Sequence, residues 1–480
     1  MNWQTTTSLL PHQQPAVDKL IRSRVAGLFM DMGTGKTRTA IEFARLRQAK
    51  IDRLIWYCPV SLKDTIHHEI QKHTDSGDAA ICLFDEFTNP RTVSRNAFWY
   101  IVGLESMSAS DRVVLTTHEL TTENTFVVVD ESSYIKGHAA KRTQRLIAIG
   151  ERARYRMILT GTPISQGVVD LYAQMRFLSP QILGYRSFYS FAANHLEYSD
   201  KFPGLIVRAH HTGHLAAEMQ PYIYQVTKEE CLDLPKKIFD ERRYAMTAAQ
   251  RDLYDQAKRE ILLDTDPADF DSYIIFRLFT ALQQIVCGYW NRRDPETGEQ
   301  TLLEVRHERL DMLDAVLNDI PEAAKVIIWC KHLYAVRQIV ASLTARFGQG
   351  TAAEYHGDNQ HQRDAELARF RARAVPSAAR FFVATQATGG HGLTLNEAHY
   401  VIFYENEFNY SHRLQAEDRC HRIGQTMPVT YVDIVCRNSI DDRIMRALAS
   451  KGNAVADFKR KIDAVRAQKG GGLEALVSDL

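Results

Sequence analysis

The sequence predicts an α/β chain of two tandem lobes, each a mainly parallel sheet covered by helices, with helical protrusions beside them. Three observations lead there. Short apolar runs rich in β-branched residues recur along the chain with helical stretches between them, the pattern of parallel sheets with helical crossovers. One such run, Val25 to Phe29, passes through the glycine loop Met30-Asp31-Met32-Gly33-Thr34-Gly35-Lys36-Thr37 into a helix start at Thr39–Ala44. The 480 residues exceed one ordinary core, so two or more domains are expected.

Composition narrows the class. Hydrophobic content of 45% and charged content of 24% are those of a globular protein in water. No apolar run approaches the roughly 20 residues of a membrane span, and the start MNWQTTTSLLPHQQ does not read as a signal peptide. The seven cysteines are scattered without a CxxC pair, so neither a zinc site nor a disulfide framework is signalled, and a reducing cytoplasmic setting is expected. A net charge of +1 does not advertise nucleic-acid binding, although a groove can concentrate basic groups that the total conceals.

The elements of the first half follow in order. Gln13 precedes a helical stretch from Ala16 to Ser23 and can present its amide to an adenine edge. In the glycine loop, backbone N–H groups can turn inward around an anion, and the next helix points its positive end at it. Lys36 then reaches the β- and γ-phosphates of a nucleotide and Thr37 places a hydroxyl on Mg²⁺; Met30 stands where the usual loop has its first glycine. Leu54–Cys58 is a second strand, followed by Ser61 at a strand–helix junction and a helix from Asp64 to His73. Ser61 suits a phosphate contact or a helix cap equally. Phe98–Val102 and Val113–Leu115 read as further strands. Thr125–Val129 suits a central buried strand and ends in Asp130-Glu131, where open α/β sheets bind ligands. Burying two acids is costly unless a partner or metal balances them. Asp130 is assigned to Mg²⁺, and Glu131 to orienting and deprotonating an attacking water. Met157–Leu159 is another strand and leads to Thr160-Gly161-Thr162-Pro163.

Past this point, Asp170–Pro180 and Gly184–Asn194 read as helices dense in aromatics, Leu232–Lys237 as a linker, Ala248–Leu263 and Ser272–Val286 as strong helices, and Asn291–Gln300 as a charged loop. Strands are expected at Lys325–Cys330, just before Tyr355-His356-Gly357, at Phe381–Ala384 and at Tyr400–Tyr404, with a basic helix over Arg363–Arg373. Gly389, Gly390 and Gly392, after Thr388, permit a backbone to approach a phosphate of a nucleotide or a nucleic-acid strand; His391 reads as a surface residue. Gln415–Gln425, QAEDRCHRIGQ, is expected on a helix starting near His412 that puts Arg419 and Arg422 on one face. Two such guanidinium forks suit a phosphate whose charge spreads during transfer. A last helix over Val455–Gln468 carries Lys459, Arg460, Lys461 and Arg466.

Together these strings carry a resemblance. MDMGTGKT, VVVDESSYIKG and ILTGTPISQG resemble motifs I, II and III of the Swi/Snf-type translocases of helicase superfamily two, with PVSLKDTIHHEI similar to motif Ia and IVGLESMS to motif Ib. IIWC, YHG, TGGHGLTL and QAEDRCHRIGQ resemble motifs IV, IVa, V and VI in order, and GLTL with the last string is similar to the HARP-like annealing branch. The similarity runs over roughly residues 10 to 450. It implies two RecA-like lobes of the P-loop NTPase class, an ATP- and Mg²⁺-dependent hydrolase, and duplex DNA as a sequence-independent track for a monomeric motor. Lobe 1 is assigned to 1–227 with a helical protrusion over about 164–222. Lobe 2 is assigned to 228–480, with a linker, a protrusion over about 245–290 and a core over about 305–450. Met32, Gly33, Thr34, Gly35, Gly392 and Gln415 join Gln13, Lys36 and Thr37 as implied nucleotide contacts, Arg419 and Arg422 as implied arginine fingers. Ser61, Thr388 and Gly389 are implied contacts to nucleic acid. A strand-separating DNA or RNA helicase, and a nucleotide-gated binding module, are the alternatives.

Overall fold

The computed structural model describes residues 3–164, 167–198, 206–263, 272–294, 297–372, 377–390, 392–455 and 457–458. The chain divides into two compact units, Met1–Asp233 and Leu234–Leu480.

In the first unit the strands are β1 (Val25–Met30), β2 (Arg53–Cys58), β3 (Ile81–Leu83), β4 (Trp99–Gly103), β5 (Thr125–Asp130) and β6 (Tyr155–Thr160). A small antiparallel pair, β7 (Leu196–Tyr198) and β8 (Ile206–Ala209), stands apart, and β9 (Ile223–Val226) returns to the main sheet. The seven-stranded sheet runs β3-β4-β2-β5-β6-β1-β9, and every pairing in it is parallel. Helices cover both faces, so alternate side chains of one strand enter different cores. Leu54, Trp56, Phe126 and Val128 pack on one face. Ile55, Tyr57, Val127 and Val129 pack on the other. β5, buried at all six residues, is central for that reason.

The second unit carries β10 (Lys237–Tyr244), the antiparallel hairpin of β11 (Tyr289–Arg293) and β12 (Gln300–Glu304), then β13 (Val326–Cys330), β14 (Ala352–Tyr355), β15 (Phe381–Thr385), β16 (Tyr400–Phe403) and β17 (Val429–Cys436). Its main sheet, β10-β17-β16-β13-β15-β14, is again wholly parallel. Each unit is thus an α/β lobe built on a parallel sheet, and the two follow one another along the chain. Helices at Val169–Leu178, Pro180–Leu183, Phe188–His195 and Thr212–Met219 form the insertion of the first unit, and those at Ala248–Leu263 and Ser272–Val286 that of the second. Among the described residues no helix is long and apolar enough to cross a membrane.

Several expectations are corrected. Val113–Leu115 belongs to a helix, Asp111–Leu120: Ser110 caps it by accepting from the Val113 amide at 3.3 Å, and its buried residues, Val113, Thr116, Thr117 and Leu120, follow helical spacing. Three β-branched or apolar residues in a row were too short a run to carry a strand. The ends of Asn291–Gln300 are β-structure, since Asn291–Arg293 pair with Gln300–Leu302. The helix expected over Arg363–Arg373 stops at Arg371. His391 and the basic stretch from Lys459 onward lie outside the described residues.

Candidate functional site

Three neighbouring strands of the first sheet, β5, β6 and β1, end side by side, and each end carries one polar segment. The glycine loop follows β1, Asp130-Glu131 closes β5, and the Thr160–Thr162 turn closes β6. Gly161 is packed so closely that a Cβ there would come within 3.3 Å of the Met32 amide nitrogen and 3.4 Å of the Met30 carbonyl oxygen. Loop and turn are therefore neighbours through their backbones.

Gly33 and Gly35 have φ of 79° and 85°, left-handed conformations that favour glycine. At Gly35 a Cβ would also stand 2.1 Å from Gln13 Nε2. Lys36 begins the Lys36–Arg47 helix and is buried, its Nζ donating to the carbonyls of Met30 at 2.8 Å and Asp31 at 3.2 Å. Thr34 donates its hydroxyl to the Asp31 carbonyl at 2.7 Å, Met32 is buried, and Thr37 is half-buried on the first turn of the helix. The loop is thus formed and its lysine rests on the loop's own carbonyls.

Gln13 spends its amide on the loop. Its Oε1 accepts from the Leu10 amide at 2.9 Å, and its Nε2 donates to the carbonyls of Thr34 at 3.1 Å and Gly35 at 3.3 Å. Its amide braces the loop from behind, and an adenine contact would require giving up these bonds. The glutamine lining the adjoining cavity of about 570 Å³ is Gln14, together with Thr7, Leu10, Pro11, Arg38 and Glu42.

Asp130 and Glu131 are both buried. Burial, with the neighbouring Glu131 carboxylate second, pushes the Asp130 carboxyl up to about 7; Lys36 acts in the opposite direction. Asp130 accepts from Trp56 Nε1 at 3.3 Å and from the Glu131 amide at 3.0 Å. Glu131 takes a left-handed φ of 51°, unusual outside glycine, at the junction to the Ser132–Ile135 turn. Behind the acids lies a residue that sequence reading passed over. Gln174, wholly buried, accepts from Ser132 Oγ at 2.6 Å and donates to the Pro163 carbonyl at 2.8 Å, tying the acid turn to the Thr160–Pro163 turn. Its signal was the one amide in the helix VDLYAQMRFL, whose other polar side chains, Asp170 and Arg176, are charged. These residues fit a nucleotide carrying a divalent cation: a cation would relieve the carboxylate pair, and the glycine loop with Lys36 would cradle the phosphates. Ser61 is exposed on the Val60–Leu62 turn after β2, the strand beside β5.

In the second unit the expected helix is corrected. It spans Tyr410–Glu417 and ends before both arginines. They converge by another route: Arg419 Nη1 and Arg422 Nη1 donate to one acceptor, the Leu393 carbonyl, at 3.3 Å and 3.1 Å. Gly392, with a φ of 73°, turns the chain just before that carbonyl. Arg419 also donates Nε to the Gln415 carbonyl at 2.8 Å, while the Gln415 side-chain oxygen is buried with no hydrogen-bond partner among the described residues. Thr388 is half-buried, and Gly389 is buried against Trp329, where a Cβ would come within 2.7 Å of the indole. A side chain at Gly389 would therefore collide with the packed indole.

The linker holds this arginine turn. His421 Nε2 lies 2.7 Å from the Pro235 carbonyl, and Lys237 donates to Glu417 at 2.9 Å. Arg413, buried over the Phe403 ring at 3.5 Å, binds both Glu417 and Asp433. Burial pulls the Lys237 ammonium down, and Glu417 with Asp418 outweighs it, so its pKa stands above the usual value.

Comparison with known proteins agrees with this layout. The model of the SNF2-related domain matches residues 12–288, and that of the helicase conserved C-terminal domain matches residues 308–424. The chain belongs to the SNF2-related family. A chromodomain-helicase-DNA-binding protein 1-like from Danio rerio is 24% identical over 443 residues, covering 88% of this SNF2-related chain and 40% of its own. The human (Homo sapiens) DNA annealing helicase and endonuclease ZRANB3 is 26% identical over 480 residues, covering 96% and 42%. The SWI2/SNF2 ATPase core of Sulfolobus solfataricus, solved in complex with dsDNA, aligns with 20% identity and a TM-score of 0.43 over 100% of this chain and 96% of its own. This SNF2-related chain spans between 22% and 42% of the length of the curated relatives it matches.

Proposed function

We propose that the chain is an ATP-driven motor that tracks along duplex DNA and remodels DNA structures or protein–DNA complexes, working as a monomer with ATP and Mg²⁺. The observation that carries the hydrolase is the meeting of three strand ends in the first unit, which gathers Lys36, the buried acid pair and the Thr160–Thr162 turn. Bound ATP supplies the phosphoanhydride, and Mg²⁺ its charge compensation. With both bound, Lys36 would exchange two backbone carbonyls for phosphate oxygens, Thr37 and Asp130 would hold the cation, and Glu131 would take the proton of the attacking water. In the second unit, Arg419 and Arg422 are suited to the charge that develops on a transferred phosphoryl group. Held together by the Leu393 carbonyl, they deliver two guanidinium groups from one turn.

The DNA track is supported by the family and by relatives whose names state DNA binding and DNA annealing. Backbone contacts carry no sequence information, so tracking would be indifferent to sequence and sensitive to salt. The test is the ATPase rate of the purified chain with blunt duplex DNA, single-stranded DNA and RNA at one salt concentration. Stimulation by duplex without strand displacement is the expected result. Stimulation by RNA alone would overturn the proposal, and displacement of a labelled strand would favour a separating helicase.

A further inference from the structure

The three strands that end at the hydrolytic site also begin together, and their starts frame a cavity that the site does not use. It has a volume of about 420 Å³, and its charged lining is Arg24, Arg152, Arg154, Arg156, Glu123 and Glu151. Arg24 immediately precedes β1, Glu123 stands two residues before β5, and Arg154 and Arg156 flank the first residue of β6. Backbone bonds lock these starts together: the Arg156 amide donates to the Arg24 carbonyl and the Arg154 amide to the Glu123 carbonyl, each at 3.1 Å. At a rise of about 3.3 Å per residue, strands of this length put the cavity about 20 Å from the glycine loop and the acid pair.

The charges around it do not cancel. Glu123 is held by Arg154 in an ion pair, and Glu151 by Arg176 at 3.0 Å. Arg24 bears on Glu123 through its charge and makes no side-chain hydrogen bond or ion pair among the described residues. Arg152 spends its Nε on the Thr121 carbonyl at 3.3 Å, and both arginines are exposed. Arg156 is the least satisfied of the three. It is half-buried, its Nε is out of reach of solvent with no hydrogen-bond partner among the described residues, and its Nη1 meets the Phe177 carbonyl at a long 3.4 Å. A guanidinium carries five N–H donors, and sequestering them unmet is costly. Burial pulls the Arg156 pKa down, Glu151 opposes the fall and Arg176 adds to it.

Three guanidinium groups therefore line one cavity, and among the described residues no carboxylate is bonded to any of them. A guanidinium fork matches a phosphate or a carboxylate through paired N–H···O bonds. Phosphate is favoured, because the aliphatic lining is confined to Val25 and Ala153. An acidic peptide would bring a carbon chain with every charge, whereas linked phosphates bring anionic oxygens at every unit.

We propose that this cavity binds linked phosphates, as a nucleic-acid backbone or a free oligophosphate supplies them. The site goes beyond the motor reading and does not depend on it. A nucleic-acid source would place a grip on the backbone at the edge of the sheet remote from hydrolysis.

Calorimetric titration of the full chain with sodium tripolyphosphate at fixed salt tests it. Lys36→Ala serves as the parent, so that the glycine loop does not compete, and Arg24→Ala/Arg152→Ala is added to it because both side chains are exposed. Tripolyphosphate affinity should fall about 10- to 100-fold in the added variant. Arg156→Lys, which keeps the charge and loses the fork, should weaken it as well. Basal ATPase of Arg24→Ala/Arg152→Ala in the otherwise unaltered chain should not move. A second arm identifies the source, from the affinity for a blunt duplex at several salt concentrations. A backbone in the cavity means that the slope of log affinity against log salt shrinks by about 2 when two phosphate contacts are lost. An unchanged slope beside weakened tripolyphosphate binding assigns the cavity to a free oligophosphate. Equal tripolyphosphate affinity in the parent and the added variant would overturn the proposal. So would full affinity in Arg156→Lys, or tighter binding of a polyglutamate peptide than of tripolyphosphate. A duplex that fails to stimulate hydrolysis would strike the motor reading alone, since the titration needs no turnover.

Discussion

Replacing Asp130 by Asn should make the first unit more stable at pH 8 while abolishing hydrolysis. The carboxyl is buried and its pKa stands at about 7 against an ordinary 3.8, because burial, and then the adjacent Glu131, penalise its charged form. A folded-state pKa raised in this way means the penalty is absent below about pH 4. It grows as pH rises through the interval and is complete above about pH 7. At 1.36 kcal/mol for each pH unit, the interval sets a ceiling of about 4 kcal/mol. Asn removes the charge, retains an oxygen for the Glu131 amide, and loses the bond from Trp56 Nε1, which at 3.3 Å is worth about 0.5–1.5 kcal/mol. A net stabilisation of about 1–3 kcal/mol at pH 8 follows, vanishing or reversing slightly at pH 4.5. Urea unfolding at both pH values, with amide exchange of β5 to assign the change to the first unit, measures it. A gap between variant and parent that is equal at the two pH values would refute the argument, as would a less stable variant at pH 8. The stabilisation is the mark of a site strained for a ligand it must hold.

Other perturbations separate the roles of the polar residues. Glu131→Gln should leave nucleotide binding in place and lower turnover about 10²- to 10⁴-fold, the range of a general base; undiminished hydrolysis would end that assignment. Arg422→Ala should lower kcat far more than it raises KM, read by steady-state ATPase, and an equal effect on both would mark a binding residue. Arg413→Ala leaves Glu417 with Lys237 and the buried Asp433 with only the neutral Asn406 amide, so thermal or urea unfolding should show a loss of about 3–5 kcal/mol in the second unit. Lys237→Ala removes one charged bond and leaves Glu417 its arginine, so its cost should be about 1.5–3 kcal/mol and Lys237→Arg should recover part of it.

What was legible in the sequence was local, and what was not depended on partners far along the chain. The glycine loop and Asp130-Glu131 could be read because strand, turn chemistry and helix start are consecutive there. β5 announced its central place by being apolar at alternate positions on both faces, whereas β10, KIFDERRY, hid among its charges because it is the edge strand of its sheet and shows them to solvent. β17 was passed over for want of a motif at its end, although VTYVDIVC is buried nearly throughout. The arginine pair was found for a reason that the structure replaces. Helical spacing would have set Arg419 and Arg422 on one face, yet the helix ends at Glu417 and the Leu393 carbonyl, 26 and 29 residues away in sequence, draws them together. Gln13 shows the same limit from the other side. Its residue type suited an adenine, but the left-handed Gly35 leaves room beside the loop that its amide fills. The sequence names a donor and an acceptor; only the fold decides where they are spent. A site assembled from distant backbone carbonyls therefore leaves a sequence trace only in the residues that bind them, and Gln174 and His421 are such residues.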